Sequence, residues 1–456
     1  MKPLLIVINI LLVLHTRLLN AQDTVQTIVL NNTLSDDNHI VVHKNRTRSF
    51  MNGNKHYPKL DTVRNKYIRW IDKHNREFPF AIPLLAYNKY DGMQIGAGFV
   101  NLKQPVKHID FTASLFYGID SKKVSGTADI NYYFRPKKGV VTEIRPGVNF
   151  KSFSYENFRK PLKYYAISPE INLTFKYRSE KYENLEYQLL LKNYVILNKA
   201  LNYYMDGSTL KYKDTLTHFY ANSLTFQFKR TDENFPFECS LNLEQTSDFV
   251  KTSFTANAFI RYQLKKMNTG VHIRFFAGGF LWRSNDFKFR LYPEVGFALS
   301  GKTGKDDYLY EDFYIGRNEQ EKFASRQISE SDGYFKVMTP LNAIPLGETV
   351  NGMFAVNIKL DFPIQYVPLK LFFDMGYSVD RKLNPDNFLP VKGFQYDAGF
   401  MFSFLDEAFE VYFPVLMSKD FKTYYKSNAP KFKQRISFNL DINKLQLHKK
   451  IRDLRL

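Results

Sequence analysis

Strict alternation of apolar and polar residues, repeated over most of the chain, constrains this sequence more than any other feature. In 354–362, Phe354, Val356, Ile358, Leu360 and Phe362 fall on one side, and Ala355, Asn357, Lys359 and Asp361 on the other. In 254–262, Phe254, Ala256, Ala258, Ile260 and Tyr262 alternate with Thr255, Asn257, Phe259 and Arg261. In 436–443, Ile436, Phe438, Leu440 and Ile442 alternate with Ser437, Asn439, Asp441 and Asn443. Successive strand side chains point to opposite faces, so a two-residue period describes a strand with one apolar and one polar side. The same texture recurs in 109–117, 126–134, 185–191, 271–281, 291–299 and 369–377. About sixteen such strands fit between residues 92 and 443.

Strands of about ten residues cross a bilayer when tilted. A polar alternate face then meets water inside a closed barrel while the apolar face meets lipid. Composition agrees. Mean hydropathy is −0.36, and beyond the extreme N-terminus no apolar run reaches the roughly 18 residues of a spanning helix. Yet aromatics make up 16% of the chain, with 42 Phe and 30 Tyr, far too many for a disordered polymer. The expected fold is all-β: a transmembrane antiparallel up-and-down β-barrel over 79–450, with both ends on the periplasmic side because the strand count is even. The aromatic groups Phe116-Tyr117, Tyr132-Tyr133-Phe134, Tyr164-Tyr165, Tyr203-Tyr204 and Phe372-Phe373 sit where interfacial girdles are expected, near strand ends.

Residues 1–22, MKPLLIVINILLVLHTRLLNAQ, read as a signal peptide, with Lys2 before an apolar core from Leu4 to Leu14 and Ala21 offering a cleavage site. Residues 23–78 read as a short periplasmic lead, in which Val63, Tyr67, Ile68 and Ile71 have the spacing of a short amphipathic helix over 61–75. An exported barrel implies the bacterial outer membrane. The formal net charge of +19 is scattered between strands rather than gathered into a patch. That fits outer-membrane lipid and lipopolysaccharide as partners and not nucleic acid. The lone cysteine, Cys239, shares a face with Leu241 and Leu243 and reads as a lipid-facing filler.

Candidate site residues follow from the alternation. Asn257, Arg261, Lys359 and Asp361 occupy polar positions and are expected to face the lumen. The segment 301–350 breaks the pattern and carries Asp306-Asp307, Glu311-Asp312, Arg317 and Arg326. A loop this long is a functional candidate, either extracellular or folded into the lumen, with Arg317 and Arg326 as its residues of interest. Its acidic residues lack cation-loop spacing and read as a solvated face. His218 and His272 read as polar lumenal side chains. No Gly-x-Ser-x-Gly elbow, phosphate-binding glycine loop or Cys-x-x-Cys pair occurs, and Gly96-Ala97-Gly98 lies within a strand pattern. The expectation is a non-catalytic protein without cofactor or metal.

The segment Phe80-Ala81-Ile82-Pro83-Leu84-Leu85-Ala86-Tyr87-Asn88-Lys89-Tyr90-Asp91-Gly92 resembles the start of the C-terminal barrel that follows the catalytic domain in some Bacteroidetes M1-type aminopeptidases. Arg435-Ile436-Ser437-Phe438-Asn439-Leu440-Asp441-Ile442-Asn443-Lys444-Leu445 is similar to the end of that barrel. More distantly, Leu360-Asp361-Phe362-Pro363 and Phe372-Phe373-Asp374-Met375-Gly376 resemble late strands of surface-antigen (Omp85-type) barrels. The resemblance spans roughly 78–450. It does not extend to activity: the His-Glu-x-x-His zinc helix is missing, and the 301–350 loop lacks the Arg-Gly-aromatic tip of Omp85 proteins. Two roles are consistent with these observations. One is a channel or transport barrel. The other is a membrane anchor or interaction module for a separate periplasmic or surface protein; an Omp85-like insertase or secretion pore is the weaker third.

Overall fold

A computed structural model describes residues 80–445 except 101–107, 158–159, 177–183, 208, 233–234, 263–268, 285–294, 320–321, 338–346, 363–367, 380–392, 406 and 429–430. The expected signal peptide, the periplasmic lead and its amphipathic helix lie outside the described residues. Sixteen strands run in chain order: β1 Phe80–Asn88, β2 Gly92–Val100, β3 Ile109–Gly118, β4 Lys123–Tyr132, β5 Val141–Asn157, β6 Pro161–Phe175, β7 Leu185–Asp206 and β8 Thr209–Arg230. They continue as β9 Phe237–Gln245, β10 Phe249–Arg261, β11 Gly270–Arg283, β12 Gly352–Asp361, β13 Leu369–Val379, β14 Gln395–Phe404, β15 Phe409–Met417 and β16 Ser437–Leu440. Each is hydrogen-bonded to its sequence neighbours in one sheet, β1 through β16 without a crossover. This is an antiparallel up-and-down β-barrel.

The polarity is inverted relative to a water-soluble protein. In β12, Met353, Ala355, Asn357 and Lys359 are buried inside, while Phe354, Val356, Ile358 and Leu360 turn outward. Outward positions elsewhere carry Ile167, Ile171, Leu191, Phe226, Leu241 and Leu371, all exposed, whereas buried positions hold Asp374, Asp397 and Glu410. Apolar side chains outside and charged ones inside match a wall that meets lipid on one side and a polar interior on the other. Cys239 lies between Phe228 and Ala256 in register, on the same face as Leu241 and Leu243.

Local chemistry explains several departures from regular pairing. Pro169 lacks the N–H that a central strand needs, and the β6–β7 ladder skips from Ile167↔Val195 to Glu170↔Lys192 around it. Pro414 faces a shifted register at Ala398/Gly399. Between β1 and β2 the chain reverses through Gly92 at φ +68°, where the Asn88 side-chain oxygen accepts from the Tyr90 and Asp91 amides. A left-handed φ of this size suits glycine.

Three expectations need correction. The described part of the strand expected over 291–299, from Val295, is not a wall strand: it is fully buried and makes an isolated bridge, Phe297↔Thr349, before a second at Ser300↔Phe335. Its alternation arises because Val295, Phe297 and Leu299 pack into an internal core. The strand expected over 436–443 ends at Leu440, because the Asp441 carboxylate accepts the Asn443 amide and turns the chain into a 3-10 segment, Ile442–Leu445. The aromatic doublets do not form girdles as pairs, since neighbours on a strand face opposite ways. Phe372 is buried in the lumen while Phe373 is exposed, and Tyr164 is buried beside a half-buried Tyr165. Among the described residues an α-helix, α1 Lys419–Asn428, lies between β15 and β16, in a segment where the sequence shows no clear helical period.

Candidate functional site: a plug and vestibule inside the barrel

The connection from β11 to β12 starts at the barrel end opposite the start of β1, and its described residues lie in the lumen. Its described portions, 295–319 and 322–337, contact most of the inner wall. Toward β12–β16, Lys336 and Asp374 are both 0% exposed and form an ion pair at 3.1 Å. The Asp397 carboxylate accepts the Lys336 and Val337 amides at 3.1 and 2.9 Å. Asn357, which sits in register between Arg274 and Asp374, donates to the Gly333 carbonyl and to Asp374, each at 2.9 Å. Arg274 donates to the Asp332 carbonyl at 2.8 Å. The Tyr334 hydroxyl meets Glu410 at 3.2 Å and also contacts Tyr412. The alternation of β11–β14 aligns these wall groups: the register row Arg274–Asn357–Asp374–Asp397 crosses four strands on the inner face.

Toward β5–β9 the plug folds on itself. Arg317 donates to Asp307 at 2.9 Å and to the Gly304 carbonyl at 3.1 Å, and its guanidinium lies 4.7 Å from the Tyr310 ring. Tyr310 stacks on Tyr164 of β6 with centroids 3.8 Å apart. Lys192 of β7 reaches Glu311 at 3.0 Å, and Lys151 of β5 donates to the Tyr310 carbonyl at 3.2 Å. Tyr308 hydrogen-bonds Glu244 of β9, which lies 3.7 Å from Lys251 of β10. The plug also touches both terminal strands: the Lys89 amide, just after β1, donates to Ile315, and the Ile328 amide donates to Phe438 of β16.

Charge burial sets the electrostatics. Asp306 accepts from the Thr303 amide and hydroxyl at 2.9 and 2.7 Å, yet burial pushes its carboxyl up to about 6. Burial, with Asp307 and Glu311 as like charges, likewise pushes Asp312 up to about 6. Burial also works against the Glu330 anion, but Lys359, Lys444 and Arg274 outweigh it and hold that carboxyl well below the usual range. Asp306 and Asp307 are therefore not the solvated acidic face expected from sequence. They are internal acceptors that shape the plug's turns, and among the described residues no cluster of metal-binding side chains forms.

Below the plug, at the barrel end where β1 begins and β16 ends, lies a cavity of about 710 Å³. Phe237, Phe259 and Phe276 supply an apolar wall. Charged residues of both signs complete it, Lys229, Arg230 and Lys444 with Glu238, Glu330 and Asp441 among them. His272 faces this space, 4.5 Å from the Phe259 ring and 3.3 Å from Asp361. His218 does not: it pairs with Leu197 on the outward face.

Of the residues singled out from sequence, Asn257 and Lys359 line the cavity, and Lys359 pairs with Glu410 at 3.1 Å. Asp361 is inside, 3.0 Å from Lys370. Arg261 ends β10, exposed and outside the cavity lining. Arg317 is a buried plug residue, whereas Arg326 only donates to the Lys433 carbonyl near the β16 start. Sequence reasoning missed Arg274, Lys336, Asp374, Asp397 and Glu410. The alternating segments 271–281 and 369–377 contain Arg274 and Asp374, whereas Asp397 and Glu410 fall outside the segments read from sequence, and the pairings join positions up to 83 residues apart with no local signature.

Fold and site together define a plugged, polar-cored, sixteen-stranded up-and-down β-barrel. No protein-family model matches the chain, and no curated protein does. Solved structures with a similar fold include BamA from Haemophilus ducreyi lacking POTRA domains 1–3, at 11% identity and TM-score 0.44 over 76% of this chain and 68% of that one. CdiB from Acinetobacter baumannii aligns at 14% identity and TM-score 0.37 over 75% and 56% of the two chains. The copper transporter OprC aligns at 9% identity and TM-score 0.32 over 73% and 52%.

Proposed function

We propose that the protein is an integral outer-membrane barrel that is closed at rest and serves as a membrane anchor and docking platform, without catalysis of its own. The observation that carries this reading is the plug. Its Lys336 side chain is fully buried against wall carboxylate Asp374, and its backbone is held by groups on strands from β11 to β16. Removing one partner of such a pair leaves an uncompensated buried charge, costing about 3–5 kcal/mol. A loop held this way does not leave an open water column. The vestibule is the surface offered to a partner from the terminal, periplasmic side.

A second reading is transport with a displaced plug, favoured by the cavity that already reaches Arg274 and Asp332 from that side. Membrane fractionation, carbonate washing and heat-modifiable gel mobility test the barrel. Liposome swelling with small sugars tests the closure. Resistance to carbonate together with no swelling is expected. Swelling at porin-like rates by the intact protein would reject the closed reading, and release by carbonate would reject the barrel itself.

A further inference from the structure

Four lysines lie at the rim opposite the start of β1: Lys123 opening β4, Lys160 in the β5–β6 turn, Lys163 near the start of β6, and Lys199 level with it on β7. Lys163 and Lys199 stand one residue beyond the Tyr164↔Asn198 pair on adjacent strands, and the Lys123 ammonium reaches the carbonyl of Pro161, between Lys160 and Lys163. Among the described residues, only Lys160 has an ion-pair partner, the exposed Asp214. Lys123 donates to the Pro161 carbonyl at 2.9 Å, and Lys163 to the Val124 carbonyl and, at 3.2 Å, the Ser125 hydroxyl. The buried Asp91 carboxylate accepts from Asn88, Gln94 and Ser154 and makes no ion pair with these lysines among the described residues. The Lys123 ammonium and the buried Lys163 ammonium thus rest on neutral acceptors, with the exposed Lys199 level with Lys163, an arrangement that favours an added anion.

Position says which anion. On the outward face of β6, Ile171 and Ile167 are exposed and apolar, then comes Tyr165, with the Lys199 ammonium 5.8 Å from its ring. The neighbouring outward residues Val148, Phe150 and Leu191 continue the apolar belt. Belt, aromatic ring and cation follow in the order in which a side-chain column leaves hydrocarbon and enters the headgroup layer. We propose that this rim patch binds the phosphate groups of an outer-leaflet glycolipid. The proposal rests on the outer-membrane reading above, which puts this rim on the cell surface.

The test uses the full-length barrel folded in detergent, with bound lipid counted by native mass spectrometry. The probes are diphosphoryl lipid A, its phosphate-free counterpart, and inorganic phosphate as competitor. Wild type should retain the diphosphoryl form about tenfold more than the phosphate-free form, as expected for a few charge-assisted hydrogen bonds. Lys123→Gln with Lys199→Gln should lower retention to the phosphate-free level while heat-modifiable mobility stays intact. Equal retention of both lipids by wild type overturns the proposal without any variant. Unchanged retention by a folded double variant overturns it too. Binding of inorganic phosphate that lipid A does not compete with would make this a soluble-anion site and overturn the lipid assignment. A chain that never inserts into membranes fails the barrel reading instead, and fractionation registers that separately.

Discussion

Single charged residues held away from water fix the plug in place. Lys336→Ala should leave Asp374 buried and unpaired, lowering stability by about 3–5 kcal/mol, read as a fall in the denaturant midpoint of refolded protein. Lys336→Met combined with Asp374→Leu should recover most of that loss, because removing both charges also removes their desolvation cost. Asp306 and Asp312 give a pH dependence of definite sign. With carboxyls pushed up to about 6, the packed plug keeps protons that a released loop has shed. Stability falls as pH rises through the interval between the ordinary carboxylate range and about 6, and stays low above it. Glu330 works the other way but at lower pH, because its carboxyl is depressed and its contribution fades only as pH falls through the ordinary range and below. Hydrogen exchange of plug amides, corrected for intrinsic rates, should show more protection at pH 5 than at pH 7.5, and Asp306→Asn should flatten the difference. Greater protection at pH 7.5 would mean these carboxyls are not buried as described.

Among the elements, two depart from the even wall. The β7–β8 hairpin has 22 residues in each strand against nine or ten in β1–β4. Beyond Leu201 and Thr215 nearly every described side chain is exposed on both faces. A two-stranded ribbon adds little to the stability of the sheet below it. Shortening the hairpin by removing 203–213 with a two-residue turn should therefore leave heat-modifiable mobility and the unfolding midpoint unchanged within error. The helix α1 is the opposite case. Phe421 and Tyr425, one helical turn apart, are both 0% exposed and pack with Phe335 and Val337 of the plug. Phe421→Ala should cost about 3–5 kcal/mol by opening a cavity there, measured by denaturant unfolding. These two elements also mark where the sequence was legible. Wall strands such as β3, β10, β12 and β13 announce themselves because lipid and lumen impose a two-residue period. The upper ribbon lacks it because water lies on both sides. Residues 295–299 mimic it because a buried loop also alternates large and small residues. The helix was hidden in 419–428 because, among its described side chains, only Phe421 and Tyr425 are buried in the core, too short a pattern to stand out from flanking strands.

For the whole molecule, the architecture was readable and its state was not. Alternation predicted the barrel and the break at 301–350, but whether that loop lay outside or filled the lumen depended on partners such as Lys192, Arg274, Asp374 and Glu410, scattered over distant strands. The central claim is that the loop closes the barrel. Single-channel recording in a planar bilayer tests it most directly, comparing the intact protein with a variant in which residues 301–337 are replaced by a short Gly-Ser link, both checked for folding by gel mobility. The intact barrel should be silent and the folded variant should open steadily. Steady openings of the intact protein, matched by the variant, would contradict this.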